Sequence, residues 1–178
     1  VAALLGFRAL RRRRQREREL ADVKSLARED LVGLADDVVG LDEDVEASPE
    51  AKAAYLRAME AYQQADDSFD RARSPQDISR VTAALADSRY EMETAKAHLA
   101  GSPPPERRPP CFFDPRHGTS VQDVNWISPY GGQMTVPACE ADARRVNAGE
   151  EPDARQITVD GRLRPFWDAP AYYQPWAF

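Results

Sequence analysis

From Leu20 onward, apolar side chains recur at Leu20, Val23, Ala27, Leu31, Leu34, Val38, Leu41 and Val45, in steps of three and four. That spacing draws a single stripe along a helix. Ser48-Pro49-Glu50 then supplies a cap, a proline at the first helical position and an acid in the first turn, which predicts a break and a restart. The second stripe runs Tyr55, Ala58 or Met59, Tyr62, Ala65, Phe69 and Ala72. Ser74-Pro75-Gln76-Asp77 repeats the start signal, with Asp77 placed for a capping box. The third stripe, Ile78, Val81, Leu85, Ser88, Met92, Ala95 and Leu99, alternates threes and fours as a heptad pattern does. Short junctions between consecutive amphipathic helices favour antiparallel neighbours. Residues 10–100 are therefore expected to form an antiparallel three-helix bundle or a coiled-coil hairpin. Many stripe positions are alanine. A buried Leu or Phe contributes about 1.5–3 kcal/mol and alanine much less, so a further segment is expected to pack on these helices.

The periodicity stops at Gly101. Residues 102–110, Ser-Pro-Pro-Pro-Glu-Arg-Arg-Pro-Pro, read as a stiff extended connector. Beyond it the pattern shortens to strand length. Val124–Ile127 and Met134–Val136 flank Ser-Pro-Tyr-Gly-Gly and predict one hairpin. Gln156–Val159 and Arg162–Arg164 flank Asp160-Gly161 and predict a second, tighter one. Pro137–Asn147 reads as a short helix closed by Gly149. The tail from Pro165 is aromatic and aperiodic, and is expected to be extended and pinned on the helices by its rings. The expected fold is thus mainly α with a small α+β or irregular C-terminal part, divided as 1–18, 19–101, 102–110 and 111–178.

Charge changes this picture at one end. Arg8, Arg11, Arg12, Arg13, Arg14, Arg16 and Arg18 stand among residues 8–18 with a single acid, Glu17, a net of +6. The chain of 178 residues carries −6 in all, which leaves −12 elsewhere. Basic charge confined to one block, on an otherwise acidic chain, argues against a nucleic-acid-binding face. The block follows Val1-Ala2-Ala3-Leu4-Leu5-Gly6-Phe7. An apolar stub that runs into arginines resembles the cytoplasmic end of a membrane helix. A span needs about 20 apolar residues, and the chain opens on Val rather than Met, so most of the span is expected upstream. The expectation is a single-pass inner-membrane protein whose bulk is cytoplasmic and whose arginines meet an anionic membrane surface.

Catalytic signals are sparse. There is no phosphate-binding glycine loop and no nucleophile elbow. His98 falls near a helix end, where a cation suits the dipole. Asp36-Asp37, Asp42-Glu43-Asp44 and Asp66-Asp67 lack the alternating ligand pattern of a calcium loop and read as solvated helix faces. The densest set is Cys111, Asp114 and His117, with Cys139 further on. Cys111, His117 and Cys139 could bind zinc if they converged, but no C-x-x-C or H-x-x-x-H pair is present. A Cys–His nucleophilic pair has no spacing to fix it. The favoured reading makes Cys111 a small buried hydrophobe, with Asp114, Arg116 and His117 tying a loop together. No metal and no other cofactor is expected, and in reducing solvent both cysteines are expected as free thiols. Trp167, Tyr172, Tyr173 and Trp176 are assigned to the fold or to the wall of a groove that takes a partner.

The residues Pro109-Pro110-Cys111-Phe112-Phe113-Asp114-Pro115-Arg116-His117-Gly118, then Val136-Pro137-Ala138-Cys139 and Pro170-Ala171-Tyr172-Tyr173, resemble a module of actinobacterial proteins that carry one N-terminal membrane helix. That resemblance covers the C-terminal part, from the proline connector onward. The layout of the chain also resembles the mycobacterial trehalose monomycolate transport factors, accessories of a lipid exporter. The resemblance implies a non-enzymatic accessory protein that binds an inner-membrane transporter or other membrane protein. The alternatives are a small metal- or thiol-dependent enzyme around Cys111, His117 and Cys139, and a lipid-binding module. Neither the partner nor the oligomeric state is implied.

Overall fold

The computed structural model describes residues 2–41, 44–159 and 161–173. Its helices begin where the sequence supplies caps. Helix α1 (Ala2–Leu41) runs for 40 residues without a break, straight through the boundary expected at residue 18. The Ser48 hydroxyl accepts from the Ala51 amide and opens α2 (Pro49–Arg71). Asp77 accepts from the Arg73 and Ser74 amides just before α3 (Ile78–Leu99). Such a cap contributes about 1 kcal/mol.

The expected stripes are the buried ones. Val23, Ala27, Leu31, Leu34, Val38, Leu41 and Val45 are buried from the first. Ala51, Ala54, Tyr55, Ala58, Ala65 and Phe69 are buried on α2, and Ile78, Val81, Leu85, Ser88, Met92 and Ala95 on α3. Leu20 and Leu99, at the stripe ends, are half-buried. The α2–α3 interface is the most extensive, and α1 touches both partners. Its alanines admit close approach: the Ser88 hydroxyl reaches across and donates to the Ala58 carbonyl at 2.8 Å.

No helix among the described residues is long and apolar enough to cross a membrane. This corrects the expectation of a single-pass inner-membrane anchor. The arginines begin at Arg8 and are part of α1 itself, so the helix turns strongly polar within two turns of its start. The assignment of the bulk to the cytoplasmic side rested on that anchor and is withdrawn with it.

After the connector come two separate two-stranded antiparallel sheets. Strand β1 (Gln122–Ile127) pairs with β2 (Gln133–Ala138), with Val124 opposite Val136 and Trp126 opposite Met134. Strand β3 (Gln156–Val159) pairs with β4 (Arg162–Pro165). The short helix α4 (Glu140–Asn147) starts later than expected: Pro137 and Ala138 belong to β2, and Cys139 is the extended cap residue. The aromatic tail is not simply extended. It folds into two 3-10 turns, Phe166–Asp168 and Ala171–Tyr173.

Two hydrophobic clusters result. Ile157, Val159, Phe166 and Tyr173 join the helical core, which is the packing expected of this segment. Cys111, Phe113, Val124, Trp126, Val136, Ala138, Cys139 and Ala143 form the second core. Phe112 and Trp167 pack against both. A charge crosses the same seam. Arg155 is 2% exposed, and its guanidinium meets the equally buried Asp30 of α1. Its backbone amide donates to the Phe113 carbonyl, and its carbonyl accepts from the Phe166 amide. Burial lowers the Arg155 pKa, opposed by the Asp30 charge.

Removing one member of such a pair leaves a buried charge uncompensated, which costs about 3–5 kcal/mol. Asp30→Ala is expected to lower the urea unfolding free energy by that amount. Asp30→Leu combined with Arg155→Met should cost clearly less. Equal losses in the single and double variants would show that the pair does not join the two parts.

Candidate metal centre

The cluster is assembled from three short segments. The loop after the connector is pinned from both ends: the Cys111 amide donates to the Gly118 carbonyl at 3.0 Å, and the Phe112 amide to the Pro137 carbonyl at 2.9 Å. Within it Asp114 caps a 3-10 turn, Pro115–His117, by accepting from the Arg116 amide. The Arg116 guanidinium grips the same carboxylate through both oxygens. Burial alone would raise the Asp114 pKa, but the bonds from Arg116 outweigh it and hold the group below its usual range.

Gly118 closes the turn at φ 85°. A side chain there would be strained, and its Cβ would stand 2.0 Å from the Glu93 carboxylate. That carboxylate takes the next amide, Thr119, at 2.9 Å. The tight turn folds His117 back over Cys111. The second segment is the start of α4, where Cys139 caps the helix through its sulfur, accepting from the Asp142 amide. The i, i+3 spacing stacks the Cys139 and Asp142 side chains on one face.

Asp142 is the centre of the group. It is fully buried, and its Oδ2 lies 3.3 Å from Cys111 Sγ, 3.3 Å from Cys139 Sγ and 2.9 Å from His117 Nδ1. Cys139 Sγ lies 3.8 Å from His117 Nδ1, and all four ligand atoms fall within 4.8 Å of one another. Metal–ligand bonds of about 2.0–2.3 Å place the ligand atoms of a tetrahedral zinc about 3.3–3.8 Å apart. The four groups therefore stand close to the geometry such an ion requires.

A supporting shell is present as well. Asp142 Oδ1 accepts the Asp153 amide at 2.8 Å, and the Asp153 carboxylate faces His117 Nε2 at 3.9 Å. That distance lies outside hydrogen-bond range. Burial pushes the Cys111 thiol up to about 12. Burial, then the adjacent Asp142, raises Cys139. Burial would raise Asp142 too, but the Asp153 amide and the bonds from Cys111, His117 and Cys139 outweigh it, so its pKa is lowered. Cys111 and Cys139 are not joined by a disulfide.

The structure thus brings together Cys111, His117 and Cys139 and adds Asp142, which the sequence reading left out. Its signal was Cys139-x-x-Asp142, a pair with the spacing of C-x-x-C but a carboxylate in the second place. The other expected site residues lie elsewhere. Arg8 to Arg18 are exposed along α1. Trp167 packs against Phe113, Trp126 and Phe166 in an aromatic cluster. The Tyr172 hydroxyl donates to Asp22 of α1, and Tyr173 is buried. Trp176 lies outside the described residues.

No protein-family model, no curated protein and no solved structure matches this chain.

Proposed function

We propose that this chain is a non-enzymatic zinc-binding module, in which one zinc ion held by Cys111, His117, Cys139 and Asp142 organises the C-terminal part. The helices α1 to α3 act as its carrier, an antiparallel three-helix bundle. The observation that carries this reading is the convergence of the four ligand atoms within 4.8 Å from separate segments. Two sulfurs, one imidazole nitrogen and one carboxylate oxygen suit zinc and disfavour the all-oxygen preference of calcium or magnesium. Four protein ligands fill a tetrahedron and leave no open position for water or substrate, the mark of a structural site. Zinc would cross-link the loop at Cys111 and His117 to the start of α4. The buried thiols would serve as thiolate ligands, with Asp142 as the oxygen donor.

The full chain, purified with zinc and analysed by elemental mass spectrometry, is expected to hold one zinc per chain. Cys111→Ala and His117→Ala should lose it, while Asp142→Cys should keep it, because a second thiolate at that spacing completes the same tetrahedron. Cobalt substitution should give the intense visible bands of a tetrahedral thiolate site. Zinc-free protein, or zinc retained in Cys111→Ala, contradicts the reading.

A ligand present at a hundredfold over its dissociation constant stabilises by about 2.7 kcal/mol. For a chain of this size that is a rise of roughly 5–10 °C in Tm. Thermal unfolding with added zinc and then with a chelator should show that rise and its reversal. A rise that persists in Cys111→Ala would point to binding elsewhere.

A further inference from the structure

Strand β2 is bonded on one side to β1, and its other edge is only begun. Successive residues of a strand turn their backbone N–H and C=O to opposite edges. The Ala138 carbonyl accepts from the Val121 amide, on the β1 side, and the Pro137 carbonyl accepts from the Phe112 amide, on the other, both at 2.9 Å. Thr135, two positions before Pro137, therefore presents its N–H and C=O to the same outer edge as Pro137. Neither group has a partner among the described residues, and Thr135 is exposed. Its hydroxyl is engaged across the ladder, donating to Asn125 Oδ1 at 2.9 Å. The connector cannot close this edge. Before Phe112 and Cys111 come Pro109 and Pro110, and Pro110 bridges to Thr119 instead. Neither proline has an amide to give.

Beside this edge lies a cavity of about 410 Å³, within the roughly 300–1,000 Å³ of ligand pockets. Pro109, Pro110, Phe112, Pro115, Met134 and Val136 wall it, and α3 contributes Thr82. Among the described residues no acid, lysine, arginine or histidine lines it, on a chain whose residues are 30% charged.

We infer that β2 accepts an extended, uncharged segment of another protein, paired to the Thr135 backbone and with an apolar side chain seated in this cavity. Strand addition takes its affinity from main-chain bonds and its selectivity from pockets for alternate side chains. Both parts stand side by side here. An added strand would lie about 4.8 Å from β2, and its residue opposite Thr135 would take up both free backbone groups. The uncharged wall matches an uncharged occupant. A fatty acid or phospholipid fits less well: its acyl chain cannot answer the Thr135 amide and carbonyl, and its head group meets no cation on the wall. A second copy pairing β2 with β2 would satisfy the edge but leave the cavity poorly filled, because its Val136 and Ala138 are already buried in its own core. Two chains of net −6 also repel.

The test is selection of random dodecapeptides displayed on phage against the immobilised full chain, followed by fluorescence anisotropy with the enriched peptides made synthetically. Enrichment of uncharged sequences with apolar residues at alternate positions is expected. N-methylation of alternate amides should weaken binding about fivefold to tenfold in the register that faces β2, and hardly at all in the other. Thr135→Pro removes the outward amide without touching the β1 ladder and should cost a similar factor. Thr82→Trp fills the cavity from α3 and should cost about tenfold or more. Circular dichroism and zinc content should be unchanged in both variants. No enrichment, or enriched peptides whose affinity survives both variants, would overturn the inference. So would stoichiometric binding of oleate that is lost in Thr82→Trp, or dimerisation abolished by Thr135→Pro, which makes a second copy the occupant.

Discussion

The contact between Arg155 and Asp30 sets the arrangement of everything after the connector. A guanidinium that is 2% exposed cannot sit in an apolar seam without a counter-charge. The counter-charge comes from α1, 125 positions away in the chain. Once Arg155 is placed, its own amide fixes Phe113 and its carbonyl fixes Phe166. Those two residues belong to different hydrophobic clusters. A single ion pair therefore specifies the docking of the small sheets on the helices. The surrounding rings Phe112, Phe113, Trp126, Phe166 and Trp167 supply the area, through edge and tilted contacts 4.8–6.4 Å apart. Rings alone could repack in several ways; a buried charge held by Asp30, with Glu29 at 3.8 Å, is far less tolerant.

The candidate metal cluster follows from the same loop. Phe113 lies between Cys111 and Asp114, so the contact that anchors Phe113 also orients the segment bearing Cys111 and His117. The tight turn at Gly118 rests on Glu93 of α3. The cluster is thereby referenced to the helices from one side and to α4 from the other. A site built this way holds its ligands without support from an extended sheet. Among the described residues the two sheets have two strands each, which in isolation is marginal. The proposed zinc cross-link at the junction of loop and helix would supply what such small sheets lack.

Much of the helical part was legible because its signals are local. Ser48-Pro49 and Ser74-Pro75 act within one turn, and the three stripes report burial directly. Both hairpins were legible for the same reason. The misplaced start of α4 has a physical cause. Pro137 reads as a helix opener, yet β2 extends through it: it stands opposite Asp123 in the ladder, and its carbonyl also accepts from the Phe112 amide of the loop. Asp142 and Arg155 were not legible. Each looks like an ordinary charged residue in a polar stretch, and each is buried by partners far away in the chain. Cys111, His117 and Cys139 were recognisable as chemistry, but their convergence depends on the pinned loop. The expected membrane anchor finds no support among the described residues, because α1 turns polar from Arg8 and no helix there is long and apolar enough to span.

The unbroken course of α1 has an energetic consequence. Starting a helix is the costly step, and adding residues to an existing one is nearly free. The packed turns from Val23 onward act as a permanent nucleus for the turns that precede them. The projecting turns have like charges at Arg8 and Arg12, at Arg12 and Arg16, and at Arg14 and Arg18, which repel at that spacing. Winding of this stretch is thus set by a contest between propagation from the core and mutual repulsion of its guanidiniums. Any counter-ion that gathers there lengthens the ordered rod from within.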